Sequence, residues 1–190
     1  MPTSGLDLWA GDFGDEYTKR NQVDWLARRP FWYEVIEATG ARSVFEVGCN
    51  AGWNLSAIRA ANPHVTLAGS DINKNACEQA AAAGLTVFNQ LDFTAIPGKA
   101  ELVYTAGVLI HIEPEHLDEV MRAIIEKSYR WVLAVEYAAP HETAIEYRGH
   151  ADKCWKRPYG DMYQALGLRM VEFWKEPRGF DRCSAWLLEK

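Results

Sequence analysis

The sequence predicts an α/β fold in which a seven-stranded, mostly parallel β-sheet ends in an antiparallel pair of strands. From residue 41 onward, short apolar and β-branched runs alternate with longer amphipathic stretches, which is typical of βαβ units. The first run leads directly into a glycine-rich turn and a helix. The last two runs follow one another without an intervening helix, as strands that pair antiparallel do.

Proline and glycine mark the limits of the individual elements. Pro63 stops the first core helix, Gly84 closes the second as a C-cap, and Pro114 opens the third at its first turn. We expect strands at residues 43–47, 65–70, 86–89, 101–105, 131–137, 168–174 and 183–189, and helices at 54–60, 74–83, 114–127 and 161–166.

Two segments lie outside this alternation. Residues 9–32 precede the first strand, and we expect helices there that fold back over the mouth of a ligand site. Residues 141–159 are polar without clear periodicity, which predicts a long loop or short helices over the active edge of the sheet. The expected organisation is a single domain over 1–190, with a helical cap at 1–40 and the α/β core at 41–190.

Composition and charge restrict the class of protein. The chain is 48% hydrophobic and 24% charged, as in soluble globular proteins. A net charge of -6 and a pI near 5.4 argue against nucleic acid as a partner, although residues 150–157 could supply a local basic patch. The four cysteines are widely spaced, which indicates reduced thiols rather than zinc ligands or disulfides. With no signal peptide and no run of about 18 apolar residues, we expect a cytoplasmic protein that does not span a membrane.

The glycine-rich turn after the first strand points to a nucleotide-type cofactor. Gly48 and Gly52 allow a sharp turn and a close approach of the backbone to a ligand. Their spacing differs from the G-x-G-x-x-G turn of dinucleotide-binding proteins, because Asn50 stands where the middle glycine would be. Glu46, two residues before the first glycine, places a carboxylate at the same edge of the sheet.

Three acids follow three successive strands. Glu46, Asp71 and Asp92 should converge, because the carboxyl ends of adjacent parallel strands line one crevice. Asp71 lies at a distance from Gly48 that suits an acceptor for both ribose hydroxyls. The alternative is that each acid is a helix N-cap.

The fourth strand ends in a stretch that suits a reaction centre. The small residues Ala106 and Gly107 would let the reactive end of a cofactor lie against the backbone. His111 could act as a general base near neutral pH, or it could be a structural histidine that caps the following helix. Glu136, at the end of the fifth strand, could face the same pocket or only solvate the strand end.

Taken together, these residues resemble class I S-adenosylmethionine-dependent methyltransferases, which have a Rossmann-like fold. The sequence is more closely similar to the methylases associated with pseudaminic acid biosynthesis. The motifs that carry the resemblance are FGDEY at 13–17 with RN at 20–21, the loop at 46–52, GVLIHI at 107–112, VEY at 135–137, EYRGHADK at 146–153 and KR at 156–157.

The resemblance implies a role for each matched position. The residues expected to hold the cofactor are Tyr17, Arg20, Asn21, Glu46, Gly48, Cys49, Asn50, Gly52, Asp71, Ile72, Asp92, Phe93, Ala106 and Gly107. The residues expected to face the acceptor are Glu136, Tyr147, Arg148, His150, Lys153 and Arg157, with His111 as the base. The alternative for the charged residues among them is a solvated loop.

The implied activity is methyl transfer from S-adenosylmethionine to an oxygen or nitrogen of a small polar metabolite, with S-adenosylhomocysteine as product and no metal. Pro158, the pair Ala138 and Ala139, and residues 181–184 depart from the family pattern near the expected acceptor pocket, so the pseudaminic substrate does not carry over. A binding module without catalysis, an NAD-dependent reductase and an RNA or protein methylase are the alternatives.

Overall fold

The computed structural model describes residues 6–21, 23–147 and 153–190. Its helices are α1 (Leu6–Ala10), α2 (Asp12–Arg20), α3 (Arg29–Thr39), α4 (Trp53–Ala61), α5 (Lys74–Ala82), α6 (Pro114–Lys127) and α7 (Tyr159–Ala165). Its strands are β1 (Ser43–Val47), β2 (Thr66–Asp71), β3 (Val87–Asn89), β4 (Ala100–Ala106), β5 (Ser128–Tyr137), β6 (Thr143–Ala144), β7 (Trp155–Lys156), β8 (Arg169–Lys175) and β9 (Cys183–Glu189).

Seven strands form one sheet in the order β3-β2-β1-β4-β5-β9-β8. The strands β1 to β5 pair in parallel, whereas β9 runs antiparallel to both β5 and β8. The sheet therefore confirms the predicted α/β class, with its antiparallel hairpin at one end. In the parallel register Val47 lies beside both Ser70 and Thr105, so β1, β2 and β4 end at one edge.

Both faces of the sheet are covered, as the apolar central strands predict. Along β1, Phe45 points into a core shared with α6 and α7, and Val44 points into a core shared with α3 and α4. Because successive side chains of a strand point to opposite faces, one short strand contributes to both cores. Trp32 of α3 is completely buried in the second core.

One part of the N-terminal segment belongs to the core and another part lies over the carboxyl edge of the sheet. Helix α3 packs against the sheet, while Trp9 of α1 and Tyr17 of α2 line a cavity at the carboxyl edge. Pro30 in the first turn starts α3, and Gly40 ends it in the left-handed conformation. None of the helices within the described ranges is long and apolar enough to cross a bilayer.

The prediction for residues 141–159 was wrong about its secondary structure. Strands β6 and β7 form a two-stranded antiparallel ladder, and Ala138 bridges Arg157. These pairings join residues more than ten positions apart, and each strand is only two residues long, so the sequence carries no periodicity that would reveal them.

Candidate active site

A cavity of about 380 Å³ opens at the carboxyl edge, between the strand ends and the cap. Its size is in the range of small-molecule sites. Most of the residues predicted to hold a cofactor line it: Tyr17, Glu46, Gly48, Cys49, Asn50, Asp71, Ile72, Asp92, Phe93, Ala106 and Gly107, together with His111.

The turn after β1 adopts the left-handed backbone that its glycines predict. Gly48 has φ 72°, Asn50 φ 46° and Gly52 φ 75°. A Cβ on Gly48 would lie 2.4 Å from a methyl carbon of Val108, so the turn could not approach the segment after β4 this closely with another residue. Gly52 does not line the cavity: a Cβ there would lie 2.3 Å from Leu85, so its role is in packing.

Glu46 presents an unsatisfied carboxylate oxygen in the cavity wall. The side chain is 1% exposed, and its Oε1 accepts a hydrogen bond from Asn54 at 2.7 Å, while Oε2 has no partner. The neighbouring Tyr104 hydroxyl favours the charged form but does not complete a hydrogen bond of normal geometry. Burial dominates and raises the pKa of Glu46 to about 8.

Asp71 organises the same turn from the end of β2. Its two oxygens accept hydrogen bonds from the backbone N–H groups of Asn50 and Asn73, each at 2.8 Å. Burial raises its pKa, and these backbone donors oppose the rise. A carboxylate has about four lone-pair directions, so acceptor capacity remains for a ligand.

Asp92 differs from the other two acids. It is exposed, and it caps a short 3-10 turn (Phe93–Ala95) by accepting the N–H of Thr94 at 2.9 Å. The hydrogen bonds from Thr94 lower the pKa of Asp92. The three acids do line one cavity. For Asp92 the alternative, that it caps a helix, is correct as well. Its buried neighbour Phe93 supplies apolar surface to the cavity wall.

His111 lies in the cavity wall within a group of aromatic rings. Its ring centroid is 4.6 Å from that of Trp9 and 4.8 Å from that of Tyr147. The Nδ1 atom lies 2.8 Å from the carbonyl oxygen of Lys153, which can only accept, so Nδ1 carries the hydrogen and Nε2 keeps a lone pair. Burial lowers the pKa of His111 to about 4, and the imidazole is therefore neutral at pH 7.

The cap contributes Tyr17 to the cavity. Hydrogen bonds attach the cap to the turn after β1. Thr18 and Asn50 exchange side-chain hydrogen bonds of 3.0 to 3.1 Å. Asn21 ends α2, and its side chain hydrogen-bonds to Tyr17. Arg20 is exposed and does not line the cavity, so the structure does not bring it to the site.

Two of the residues predicted to face the acceptor are buried away from the cavity, and these predictions are corrected. Glu136 is 0% exposed and accepts hydrogen bonds from three backbone N–H groups of the turn that carries His111. Arg157 is also 0% exposed and donates to two carbonyl groups of that turn. From the sequence alone, a charged residue at either position is compatible with binding the acceptor or with bonding to backbone groups in the interior. Only the tertiary structure distinguishes these two roles.

The other acceptor predictions have mixed outcomes. Tyr147 contacts the ring of His111 but does not itself line the cavity. Lys153 forms an ion pair of 3.1 Å with Glu113, a residue of the cavity wall. Arg148 and His150 lie outside the described residues.

Several cavity residues were not predicted. Arg28 lines the wall and donates to Asn54 at 2.8 Å, which links it to Glu46 through one amide. The ring of Trp9 contacts that of His111 at an interplanar angle of 51°, and Asn73 caps α5 while donating to Asp15. Trp9 and Arg28 both lie in the N-terminal segment 9–32, and Asn54 begins the first predicted core helix, but no pattern in the sequence singles out any of the three.

Glu113, Glu115 and His116 bring potential metal-ligand atoms within 4.8 Å of one another, although their sequence spacing indicated no such set. Glu113 is already paired with Lys153, and Glu115 is exposed. We therefore assign no metal to this group.

Comparison with known proteins gives matches at the level of structure. No protein-family model matches this chain, and a search of curated proteins found no significant match. The magnesium protoporphyrin IX methyltransferase of Synechocystis PCC 6803, solved with bound SAM, is 15% identical with a TM-score of 0.71 over 97% of this chain and 94% of that one. The sugar N-methyltransferase KedS8 of Streptoalloteichus sp ATCC 53650 is 15% identical with a TM-score of 0.70, covering 95% and 93% of the two chains.

Human N-acetylserotonin methyltransferase, in complex with SAM, gives a TM-score of 0.75 at 16% identity, and this chain spans 60% of it. At such low sequence identities the structural similarity shows the fold alone. The chain therefore has the Rossmann-like fold of class I methyltransferases, as the sequence predicted.

Proposed function

We propose that this protein is an S-adenosylmethionine-dependent methyltransferase that acts on a small polar metabolite. The observation that carries the proposal is the unsatisfied, buried carboxylate oxygen of Glu46 beside the left-handed turn at Gly48. A buried acceptor without a donor is costly, and a ligand ammonium group would supply the missing donor. The structural neighbours solved with SAM support the same cofactor.

The cavity offers a place for each part of that cofactor. Glu46 and the backbone at Gly48 would hold the methionine portion, and the remaining lone pairs of Asp71 would accept the ribose hydroxyls. The apolar ring of Phe93 would contact the adenine. A carboxylate suits a vicinal diol because its two oxygens can accept two hydrogen bonds.

In the proposed reaction the acceptor atom attacks the methyl carbon in line with the sulfonium leaving group. The acceptor–carbon bond forms, the carbon–sulfur bond breaks, and the electron pair leaves with sulfur. The chief task of the protein is to align donor and acceptor, which can supply much of the rate. The acceptor proton goes to Nε2 of His111.

The environment of His111 determines what kind of base it is. Burial keeps it neutral, so its lone pair is available at pH 7, but burial also makes it a weak base. A weak base suffices for a hydroxyl or amine whose proton becomes acidic as the methyl bond forms. Sugar-like compounds and natural-product precursors carry such groups, and sugar, mitomycin and N-acetylserotonin methyltransferases are among the structural neighbours.

Calorimetric titration of the full chain with S-adenosylhomocysteine tests the cofactor, with NADH as the comparison ligand. We expect saturable binding of the first and none of the second. The reverse result would favour a reductase, and failure to bind either would overturn the proposal.

Turnover is tested separately by incubating the protein with S-adenosylmethionine and fractions of a cell extract. Formation of S-adenosylhomocysteine above that of the extract alone would support catalysis. Binding without turnover in any fraction would favour a binding module.

A further inference from the structure

The turn that carries His111 is held from two sides by buried charges. On one side, Glu136 at the end of β5 accepts hydrogen bonds from the N–H groups of Val108 at 3.1 Å, Leu109 at 3.2 Å and Ile110 at 3.4 Å. These donors begin a 3-10 turn (Leu109–His111) that has no side-chain cap of its own. Without Glu136 three N–H groups at a turn start would lack this acceptor.

On the other side, Arg157 binds the carbonyl groups of the same turn. Its Nη1 donates to Leu109 at 2.9 Å and its Nη2 to Ile112 at 3.0 Å. Its Nε donates to Glu142 at 2.7 Å, and the guanidinium lies 5.0 Å from the ring centroid of Trp155. Each of the three guanidinium nitrogens thus donates a hydrogen bond to the protein.

The segment that supplies Arg157 also supplies the partner of His111. The carbonyl of Lys153, four residues before Arg157, lies 2.8 Å from Nδ1 of the imidazole. The hydrogen bonds of Arg157 therefore attach this segment to the turn. The hydrogen bond that sets the tautomer of His111 joins the same two parts of the chain, from Nδ1 in the turn to the Lys153 carbonyl in the segment.

This arrangement requires more desolvation of ionisable side chains than an ordinary turn does. Burying a carboxylate or a guanidinium costs several kcal/mol per ion unless geometry and hydrogen bonds offset it. Both side chains here are 0% exposed, and each bonds to backbone groups of one five-residue turn, while Arg157 also pairs with the carboxylate of Glu142. These contacts fix the position of His111 in the cavity wall. Functional sites need such supporting residues to hold their side chains in place.

We propose that Glu136 and Arg157 are positioning residues that clamp residues 108–112 between them and so hold His111 with its hydrogen on Nδ1 and its lone pair on Nε2. The inference rests on the proposed function in one respect, because it takes His111 to be the group that receives the acceptor proton. Neither residue touches the cavity, so their effect is exerted through the turn.

Nitrogen NMR of the histidine side chains tests this proposal in the full chain, with S-adenosylhomocysteine binding measured in parallel. The His111 signals are assigned by their absence in H111N. In the unaltered protein we expect the Nδ1–H tautomer to dominate. In E136Q the negative charge is lost, and the amide nitrogen, which can only donate, would face either the N–H of Ile110 or those of Val108 and Leu109. In R157K the forked contact to two carbonyl groups is lost.

Both variants should shift His111 toward a mixture of tautomers and raise its pKa by about one unit or more, toward the value of an exposed imidazole. The affinity for S-adenosylhomocysteine should change less than about twofold, which corresponds to about 0.4 kcal/mol. R130K is the matched control, because Arg130 makes two hydrogen bonds to Glu189 on the surface, away from the turn. It should leave the His111 signals unchanged.

An unchanged tautomer and pKa of His111 in folded E136Q and R157K would overturn the proposal. If E136Q does not fold, E136D keeps the charge with a shorter reach, and it should still disturb the His111 signals; no disturbance there would count against the clamp. Loss of S-adenosylhomocysteine binding in the unaltered protein would instead defeat the proposed function, while the NMR comparison would still decide whether the clamp exists.

Discussion

The two oxygens of Glu46 have different surroundings, and this difference governs how a ligand would bind. Oε1 is satisfied by Asn54, while Oε2 has no donor and burial raises the pKa of the group to about 8. The free protein therefore holds Glu46 largely protonated at pH 7. A ligand ammonium group stabilises the ionised form, so binding should expel the proton.

We predict that S-adenosylhomocysteine binding releases up to one proton near pH 7 and tightens as pH rises from about 6 to 8, through the raised pKa. Calorimetry in buffers of different ionisation enthalpy measures the release. In Glu46→Gln the release should vanish and binding should weaken by about 1.5–3 kcal/mol. Glu113→Gln, which alters a cavity carboxyl paired with Lys153, should retain the release. Equal heats in all buffers would contradict the prediction.

Gly52 and Gly98 share a left-handed backbone but differ in their surroundings. A Cβ on Gly52 would lie 2.3 Å from Leu85, whereas nothing lies within 4 Å of one on Gly98. We expect Gly98→Ala to cost about 1–2 kcal/mol from backbone strain alone, and Gly52→Ala to cost about 1–3 kcal/mol more from overpacking. Urea denaturation measures both. Equal losses would show that Leu85 moves aside freely.

Among the elements, α2 is attached to the core mainly by polar contacts. Asp15 accepts hydrogen bonds from Asn73 at 2.8 Å and Asn75 at 2.7 Å, and Thr18 pairs with Asn50. Gly14 allows this close approach, because a Cβ there would lie 2.7 Å from Nδ2 of Asn73. Elements held by few apolar contacts open locally before the whole protein unfolds.

Replacing Asp15 with alanine should therefore loosen the cap without unfolding the core. Losing two hydrogen bonds to Asn73 and Asn75 should cost about 1–3 kcal/mol of local stability. Hydrogen exchange of the amides of α2 should accelerate, while those of β4 and β5 stay protected. The control is Glu16→Ala, since Glu16 pairs with Lys19 on the surface. Acceleration in β4 as well would mean that the cap and the core unfold together.

For the whole molecule, the buried titratable groups link stability to pH. The folded-state pKa of Glu46 is raised to about 8 and that of Glu136 to about 7, from an ordinary value of 4.5. Their contribution is fully present below pH 4.5 and is lost as pH rises through 7 and 8. The pKa of His111 is lowered to about 4, so its contribution is present above 6.5 and is lost toward pH 4.

Between pH 6.5 and 8 only the two glutamates of this set change, and the ligand-free protein should become less stable. We expect a fall on the order of 2 kcal/mol in the free energy of unfolding, measured in urea. In Glu46→Gln most of the slope above pH 7 should disappear, whereas Glu115→Gln, which alters an exposed carboxyl, should keep it. A flat profile in the unaltered protein would show that neither carboxyl has a raised pKa.

The architecture of this protein could be predicted because its signals are local. Alternation of apolar runs and the stops at Pro63, Gly84 and Pro114 placed every strand of the main sheet and the four predicted core helices to within a few residues. The two glycines of the turn from Gly48 to Gly52 predicted its left-handed backbone, since glycine is the residue that adopts this conformation at little cost. The ladder of β6 and β7 was missed because its partners are distant in sequence.

The local chain thus specified the α/β sheet, its antiparallel end and the acids that reach its carboxyl edge, because periodicity and turn chemistry depend on neighbouring residues. Which charges serve the cavity was decided only by the folded structure. Glu46 and Glu136 both lie near the carboxyl end of an apolar strand, yet Glu46 has a carboxylate oxygen without a donor in the cavity wall, whereas Glu136 accepts three backbone N–H groups of a turn. That distinction depends on which backbone donors come within hydrogen-bonding distance, and tertiary packing alone brings them there.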